Sequence, residues 1–336
     1  MADSLTLPSA RVRFAMIGCG RMGRHHSEKM LVDGRGEVVA VFDAEPSMAA
    51  RLKNDLWPTA MIATSFDELI SHDQIDAAII CTPTTEHYSQ VKSCLNRGWH
   101  VLCEKPLAKD RSQILELIQC SELAQTKRQS FSLGYQRRYT GLFRTLRKEV
   151  QSGKWGAVRA IASHNVESWQ PTIAGTWRDD PDQNSGGFIT DAGSHKLDIL
   201  FYVTGLSPLD VFTRTQKWGS QVEIVASVTA LLTGDVTLTM DFIGNAHYLG
   251  EDLHIHCERA DLMLRHEELW IARSGQREHL AVDEPDSNPV AGLLDMILDN
   301  KSDVSPPQAA LPVFDMTQAI LASGRSGVPV RVEPIV

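Results

Sequence analysis

Residues Val12-Arg13-Phe14-Ala15-Met16-Ile17-Gly18-Cys19-Gly20-Arg21-Met22-Gly23 form an apolar run that ends in three glycines spaced G-x-G-x-x-G. Such a loop alone is weak evidence, because glycine-rich turns are common. Its setting is more specific. The run before it is strand-like, and Arg24–Val32 after it reads as a helix, which is the context a dinucleotide-binding turn requires. There Gly18 permits the tight turn, Gly20 lets the backbone approach a pyrophosphate, and Gly23 lets the helix pack on the strand. Arg21 and Met22 then present backbone N–H groups at a helix start, where negative charge is favoured. A second strand, Val38–Phe42, ends on Asp43, 20 residues beyond Gly23. A carboxylate at that place accepts ribose hydroxyls and repels a 2′-phosphate, and no arginine stands beside it, so NAD is favoured over NADP.

The same alternation continues outward. Helix-like Pro46–Asp55, a short strand at Ala60–Thr64 and a capped helix start at Ser65-Phe66-Asp67-Glu68 lead to the continuous apolar strand Asp76–Cys81. Thr82-Pro83-Thr84 breaks that strand where ligands bind in open α/β sheets. Thr85–Arg97 is helical and places His87 either beside the cofactor or at a half-exposed helix position. His100–Cys103 is a further buried strand that runs into Glu104-Lys105-Pro106, and Asp110–Lys127 and Ser130–Gly134 close the unit. Strands alternating with helices of this length predict a parallel sheet. Residues 1–134 are therefore expected to form a dinucleotide-binding Rossmann domain.

From Tyr135 the texture changes to alternating β runs interrupted by a helix over Gly187–Thr204, with further helices at Pro289–Asn300 and Pro312–Ser323. Residues 135–336 are expected to form an α+β domain on a large, open, mostly antiparallel sheet. Hydrophobic residues make up 43% of the 336 and charged residues 22%, as in ordinary globular proteins. The net charge of −9 argues against nucleic-acid or anionic-membrane partners. No apolar run approaches the ~20 residues that span a bilayer, and the first ten residues read as a polar leader rather than a secretory signal. Six scattered cysteines fit reduced, buried thiols and a cytoplasmic location.

Two clusters carry chemistry. Lys105, directly after a strand, can hydrogen-bond a substrate oxygen and stabilise a developing alkoxide. A cis Lys105–Pro106 bond would turn it inward. Glu104 and Lys105 also join Thr82, Pro83 and His87 as candidate cofactor contacts. In Gly186-Gly187-Phe188-Ile189-Thr190-Asp191-Ala192-Gly193-Ser194-His195-Lys196-Leu197-Asp198, a helix would put Asp191, His195 and Asp198 on one face. His195 suits a general base, Asp191 can sit near the same substrate hydroxyl, and Asp198 can orient the imidazole. A divalent metal held by these three is the weaker reading, since hydride transfer needs none and no other ligand cluster stands out. No metal is expected.

The glycine loop, Glu104-Lys105-Pro106 and Asp191-x-Gly193-x-His195-x-x-Asp198 together resemble the Gfo/Idh/MocA family, the glucose-fructose oxidoreductase and inositol dehydrogenase group, over residues 12–330. The resemblance implies an N-terminal Rossmann domain and a C-terminal domain whose open sheet mediates homodimers or homotetramers. It places catalytic roles on Lys105, Asp191 and His195, and a sugar, cyclitol or related polyol as substrate. Phe188 stands where many relatives have a small residue, which alters the local pocket. Tyr135, Arg137, Trp169, Trp177 and Arg178 are candidate substrate contacts: rings stack on sugar faces and arginines clamp hydroxyls or anions. The alternatives are buried anchors for the tryptophans and surface charges for the arginines. His247 and Tyr248 are weaker candidates. The expected activity is NAD-dependent oxidation of a secondary hydroxyl. A glycosidase or lyase that oxidises its substrate transiently would use the same residues, and a non-catalytic NAD sensor would have no use for the lysine and histidine.

Overall fold

The computed structural model describes residues 11–333; the polar leader lies outside them. The chain divides into two compact units, one running to Gln136 and taking in Ser287–Ala310, the other formed by Arg137–Asp286 and the chain from Leu311. In the first unit, β1 (Val12–Ile17), β2 (Gly36–Phe42), β3 (Met61–Ile62), β4 (Ala77–Ile80), β5 (His100–Cys103) and β6 (Phe131–Leu133) form one sheet in the order β3-β2-β1-β4-β5-β6. Every pairing is parallel. Helices α1 (Arg21–Asp33), α2 (Pro46–Leu56), α3 (Phe66–Ile70), α4 (Thr84–Asn96) and α5 (Arg111–Thr126) fill the connections. The strand order reverses between β1 and β4, which defines the ligand crevice of a Rossmann sheet. The continuous apolar run at β4 is fully buried, as a strand covered on both faces must be. Ser65 caps α3 by accepting from the Glu68 N–H at 3.1 Å.

The second unit opens with α6 (Gly141–Gln151), β7 (Val158–Ser168), the short α7 (Gln170–Ile173), then α8 (Gly187–Asp191) and α9 (Gly193–Thr204). Strands β8 (Pro208–Gln216), β9 (Val225–Leu232), β10 (Val236–Ile243), β11 (Asn245–Cys257), β12 (Asp261–Arg265), β13 (Glu268–Arg273) and β14 (Gln276–Leu280) follow. With β7 and the terminal β15 (Val330–Arg331) they make a nine-stranded sheet, ordered β14-β13-β12-β11-β7-β10-β9-β8-β15. Only β10 and β7 pair in parallel. In β10, Val236, Leu238, Met240 and Phe242 are buried, while Thr237 and Thr239 are exposed. One face of the sheet therefore makes the core, and alternation is the sequence's record of it.

The structure differs from the sequence reading in three places. The helix expected over Gly187–Thr204 is interrupted at Ala192, although that residue keeps right-handed helical angles. Strands β14 and β15 are added at the two sheet edges. The second domain does not run uninterrupted from 135 to the C-terminus, because α10 (Pro289–Asp299) belongs to the first unit. Val290, Leu293 and Leu294 of α10 are fully buried in the cluster that holds Phe14, Met16, Met30 and Leu52. Arg35 donates to Asp295 at 2.7 Å beside them. Helix periodicity marks an apolar face without naming the sheet it covers, so α10 was visible while its destination was not. The closing helix, α11 (Ala310–Ser326), returns to the second unit from Leu311. Among the described residues no helix is long and apolar enough to cross a membrane, and all six cysteines are free thiols. We expect Leu293→Ala to destabilise the first unit by about 2–5 kcal/mol, as large-to-small core changes do, in a urea titration followed by a probe in that unit.

Candidate active site

The glycine loop in the first unit is built by close approach. Gly18 has φ +90°, and a Cβ there would lie 2.6 Å from the Cys81 carbonyl carbon. A Cβ on Gly23 would meet the Gly18 carbonyl oxygen at 2.0 Å. Gly20 faces open space and gives α1 no side-chain cap, which leaves the first N–H groups of a 13-residue helix for an incoming anion. Cys19, Gly20, Arg21, Arg24, Met48 and Arg51 line most of a cleft of about 150 Å³ there. Asp43 accepts from the Cys19 N–H at 2.6 Å and the Glu45 N–H at 2.8 Å, tying the end of β2 to the loop. A carboxylate has about four acceptor positions, so two remain for ribose. Arg24 is drawn to Asp55 at 2.7 Å and Glu28 at 3.1 Å. Met22 is half-buried, and burial with the Asp43 charge pushes the Cys19 thiol up to about 12. These features fit a dinucleotide.

At the carboxyl ends of β4 and β5 the chain is pinned by two histidines. His87, fully buried, reaches the Thr82 carbonyl through Nε2 and the Pro106 carbonyl through Nδ1, each at 2.8 Å. The ring therefore sits between two turns instead of lying half-exposed on its helix, and as a neutral imidazole it donates to one of the two carbonyls. Burial holds its pKa below the usual histidine value. Pro83 is exposed at the start of α4, and Thr82 donates to Gln90 at 2.7 Å. Glu104 is buried against His26, and Lys105, half-exposed, follows it with a cis bond to Pro106.

In the second unit α8 and α9 sit tightly on the sheet. Gly186 and Gly187 both have positive φ, and a Cβ on Gly187 would strike the Glu223 carbonyl oxygen at 2.3 Å. A Cβ on Gly193 would touch the Phe242 ring at 3.1 Å. Phe188, the departure noted above, is fully buried and packs on Trp169, ring centroids 5.4 Å apart. Trp169 is only 5% exposed, so it anchors the helix from below rather than offering a face to a sugar. Tyr135, in the first unit, is likewise buried. Trp177 is 49% exposed and stacks under Arg178, which donates to Asp191 at 2.9 Å. Asp191 and His195 are half-exposed.

Asp198 departs from the sequence expectation. It turns to Arg138, which donates to both carboxylate oxygens at 2.6–3.1 Å, and the pair is almost fully buried. The carboxylate expected to orient His195 instead closes a buried ion pair with the segment before α6. Burial pushes the Asp198 carboxyl up to about 6 even with Arg138 beside it. Arg137, expected at the substrate wall, pairs with Glu251, which also accepts from Lys196 at 2.8 Å. Burial raises the Glu167 carboxyl nearby, which interacts with Lys196, Asp191 and Arg137. The sequence reading missed Glu167, Lys196 and Glu251. No motif or periodic spacing in the sequence singles them out. His247 and Tyr248 lie in an exposed bulge where the β11–β7 register shifts between Asn245 and Gly250. Among the described residues no group of three His, Cys, Asp or Glu side chains is placed to hold a metal ion.

These two units are, by architecture, a Rossmann nucleotide-binding domain and an open-sheet α/β domain. Residues 12–135 match the model of an oxidoreductase family with an NAD-binding Rossmann fold, and residues 143–263 match the GFO/IDH/MocA C-terminal domain. The chain belongs to the Gfo/Idh/MocA family of oxidoreductases. It is 30% identical to inositol 2-dehydrogenase 2 of Paenarthrobacter aurescens over 70% of each chain. It is 26% identical to inositol 2-dehydrogenase of Rhizobium meliloti over 60% of this chain and 57% of that one. The matched stretch is 56% of an uncharacterised Schizosaccharomyces pombe oxidoreductase, so the chain spans little more than half the length of several curated relatives. Similar folds include an oxidoreductase domain protein from Kribbella flavida (TM-score 0.86, 18% identity, 97% and 100% coverage). A levoglucosan dehydrogenase in complex with NADH is also similar (TM-score 0.83, 18% identity, 97% and 100% coverage).

Breaking the Arg138–Asp198 pair isolates a buried charge, so we expect Arg138→Leu to cost about 3–5 kcal/mol near neutral pH. Adding Asp198→Asn should recover most of it. A carboxyl whose folded pKa lies above its unfolded value favours folding most at low pH and loses that stability as pH rises through the window. That window runs from near 4 to about 6 in the wild type and extends upward without Arg138. The Tm deficit of Arg138→Leu should therefore shrink from pH 8 to pH 5, and the double variant should show no such trend.

Proposed function

We propose that this chain is an NAD-dependent dehydrogenase that oxidises a secondary hydroxyl of a sugar, cyclitol or sugar derivative. The observation that carries the reading is the uncapped α1 N-terminus at the glycine loop, in a chain that also bears Lys105 after β5 and His195 on α9. NAD is favoured over NADP because the Asp43 carboxylate would repel a 2′-phosphate and Arg24 is held by Asp55 and Glu28. Bound NAD supplies the hydride acceptor at its nicotinamide ring. His195 takes the hydroxyl proton, Lys105 steadies the substrate oxygen as charge develops, and Asp191 sits near the same hydroxyl. Relatives that carry the name inositol dehydrogenase support a cyclic polyol as substrate.

The same reading extends to assembly and place. The exposed side of the nine-stranded sheet, with Ser227, Thr229 and Thr239 on it, bears a broad cleft of about 530 Å³. We propose it as the face through which copies of this chain associate as a dimer or tetramer in the cytoplasm. The acidic balance of the chain supports small-molecule rather than nucleic-acid or membrane partners.

A panel of free sugars, cyclitols, sugar acids and glycosides, run with NAD and with NADP, tests the activity. Continuous NADH production is expected with a free polyol. Glycoside cleavage without net NADH would replace the dehydrogenase with a transient-oxidation glycosidase. His195→Ala and Lys105→Ala should each lower kcat by at least about 100-fold, the size of a lost general base or charge-stabilising donor. NADH binding, followed by its fluorescence, should persist in both. Retained turnover in both variants would overturn the assignment.

A further inference from the structure

The helix that offers its N-terminus to the cofactor also reaches the turn that carries Lys105. In the second turn of α1, His26 places Nε2 2.8 Å from Glu104 Oε1, with side chains only 1% and 9% exposed. A carboxylate only accepts, so the shared proton lies on Nε2. The other Glu104 oxygen, Oε2, accepts from the Lys105 backbone N–H at 3.1 Å. Gly134 is pressed against the same carboxylate, where a Cβ would come within 2.9 Å of Oε1. The Glu104 N–H is committed to the Ile80 carbonyl at 2.9 Å. The carboxylate is thus fixed from three sides. The other ring nitrogen of His26, Nδ1, is buried, and among the described residues no group hydrogen-bonds it. Among the described residues the polar contact of this ring is the one to Glu104.

We propose that His26 is a positioning residue that acts through Glu104 to set the backbone from which Lys105 projects, coupling the pyrophosphate-binding helix to that lysine. This rests on the role given to Lys105 above. Glu104, assigned from the sequence to the cofactor, acts in this reading between helix and lysine. His87 Nδ1 on α4 lies 2.8 Å from the carbonyl of the following residue, Pro106, so a second helix also packs against the Lys105 turn.

The test compares His26→Leu, His26→Gln, Glu104→Ala and Lys105→Met in the full chain. The readouts are amide hydrogen exchange of the peptide spanning 102–108, NADH affinity by fluorescence, Tm, and kcat and KM with the panel compound that turns over. His26→Leu should speed exchange in that peptide at least about 10-fold and lower kcat about 10–100-fold, the scale of an ångström of misplacement. KM and NADH affinity should stay within about threefold, because a positioning defect acts on the reacting geometry rather than on ground-state binding. His26→Gln, which keeps an N–H donor, should restore both exchange and kcat. Glu104→Ala should reproduce His26→Leu, and if only one of the two folds, that one decides. Unchanged exchange and kcat, or a kcat loss that only tracks NADH affinity and Tm, would overturn the proposal. Lys105→Met separates the two ideas: full turnover there defeats the role of Lys105, whereas a large loss there with none in His26→Leu defeats the coupling alone.

Discussion

The approach of Gly23 to the Gly18 carbonyl, where a single added carbon would lie 2.0 Å from oxygen, sets the start of α1 against the end of β1. That contact leaves no room for a side chain, and it fixes the direction in which the helix N-terminus points. Asp43 then closes the loop from the side through the Cys19 N–H. With the helix placed this way, its second turn brings His26 to Glu104. The glycine loop and, through Glu104, the backbone of Lys105 thus both meet α1. A glycine motif usually explained by the ligand it admits is here equally a packing requirement of the helix behind it.

The second unit solves a different problem. It carries half-exposed Asp191 and His195 on helices that are otherwise largely buried. Gly187 lets α8 lie against the segment before β9, Gly193 lets α9 lie on Phe242 of β10, and Phe188 packs with Trp169. The buried Arg138–Asp198 pair fixes α9 to the segment before α6. Such a pair contributes little net stability but strongly disfavours arrangements that would separate it. Neutralisation of Lys196 and Arg137 by Glu251 continues the pattern: cations near α9 are matched by carboxylates within the same unit.

Much of this was legible in the sequence, and the reasons are physical. The Rossmann sheet was legible because buried parallel strands are continuous apolar runs, and the glycine loop because its spacing has a steric cause. Motif spacing singles out Lys105, Asp191 and His195, the residues on which the proposed function rests. The partner of Asp198 was not legible, because helical periodicity says which side chains share a face and nothing about what arrives from 60 residues away. Trp169 reads alike as a sugar platform or as an anchor, since both need a large ring, and only burial separates them. His26 left no mark because a histidine one turn into a helix carries no periodic or spacing signal.

The three buried apolar residues of α10 have a consequence for how the molecule is made. Val290, Leu293 and Leu294 complete a cluster whose other members are drawn from residues 12–102. On a ribosome, an N-terminal domain ordinarily folds while the rest is still being synthesised. Here the Rossmann sheet emerges early with one apolar surface uncovered, and the helix that covers it is translated only after nearly the whole second unit. The nascent chain must hold that surface open, or have it shielded, until residues 289–299 have been made.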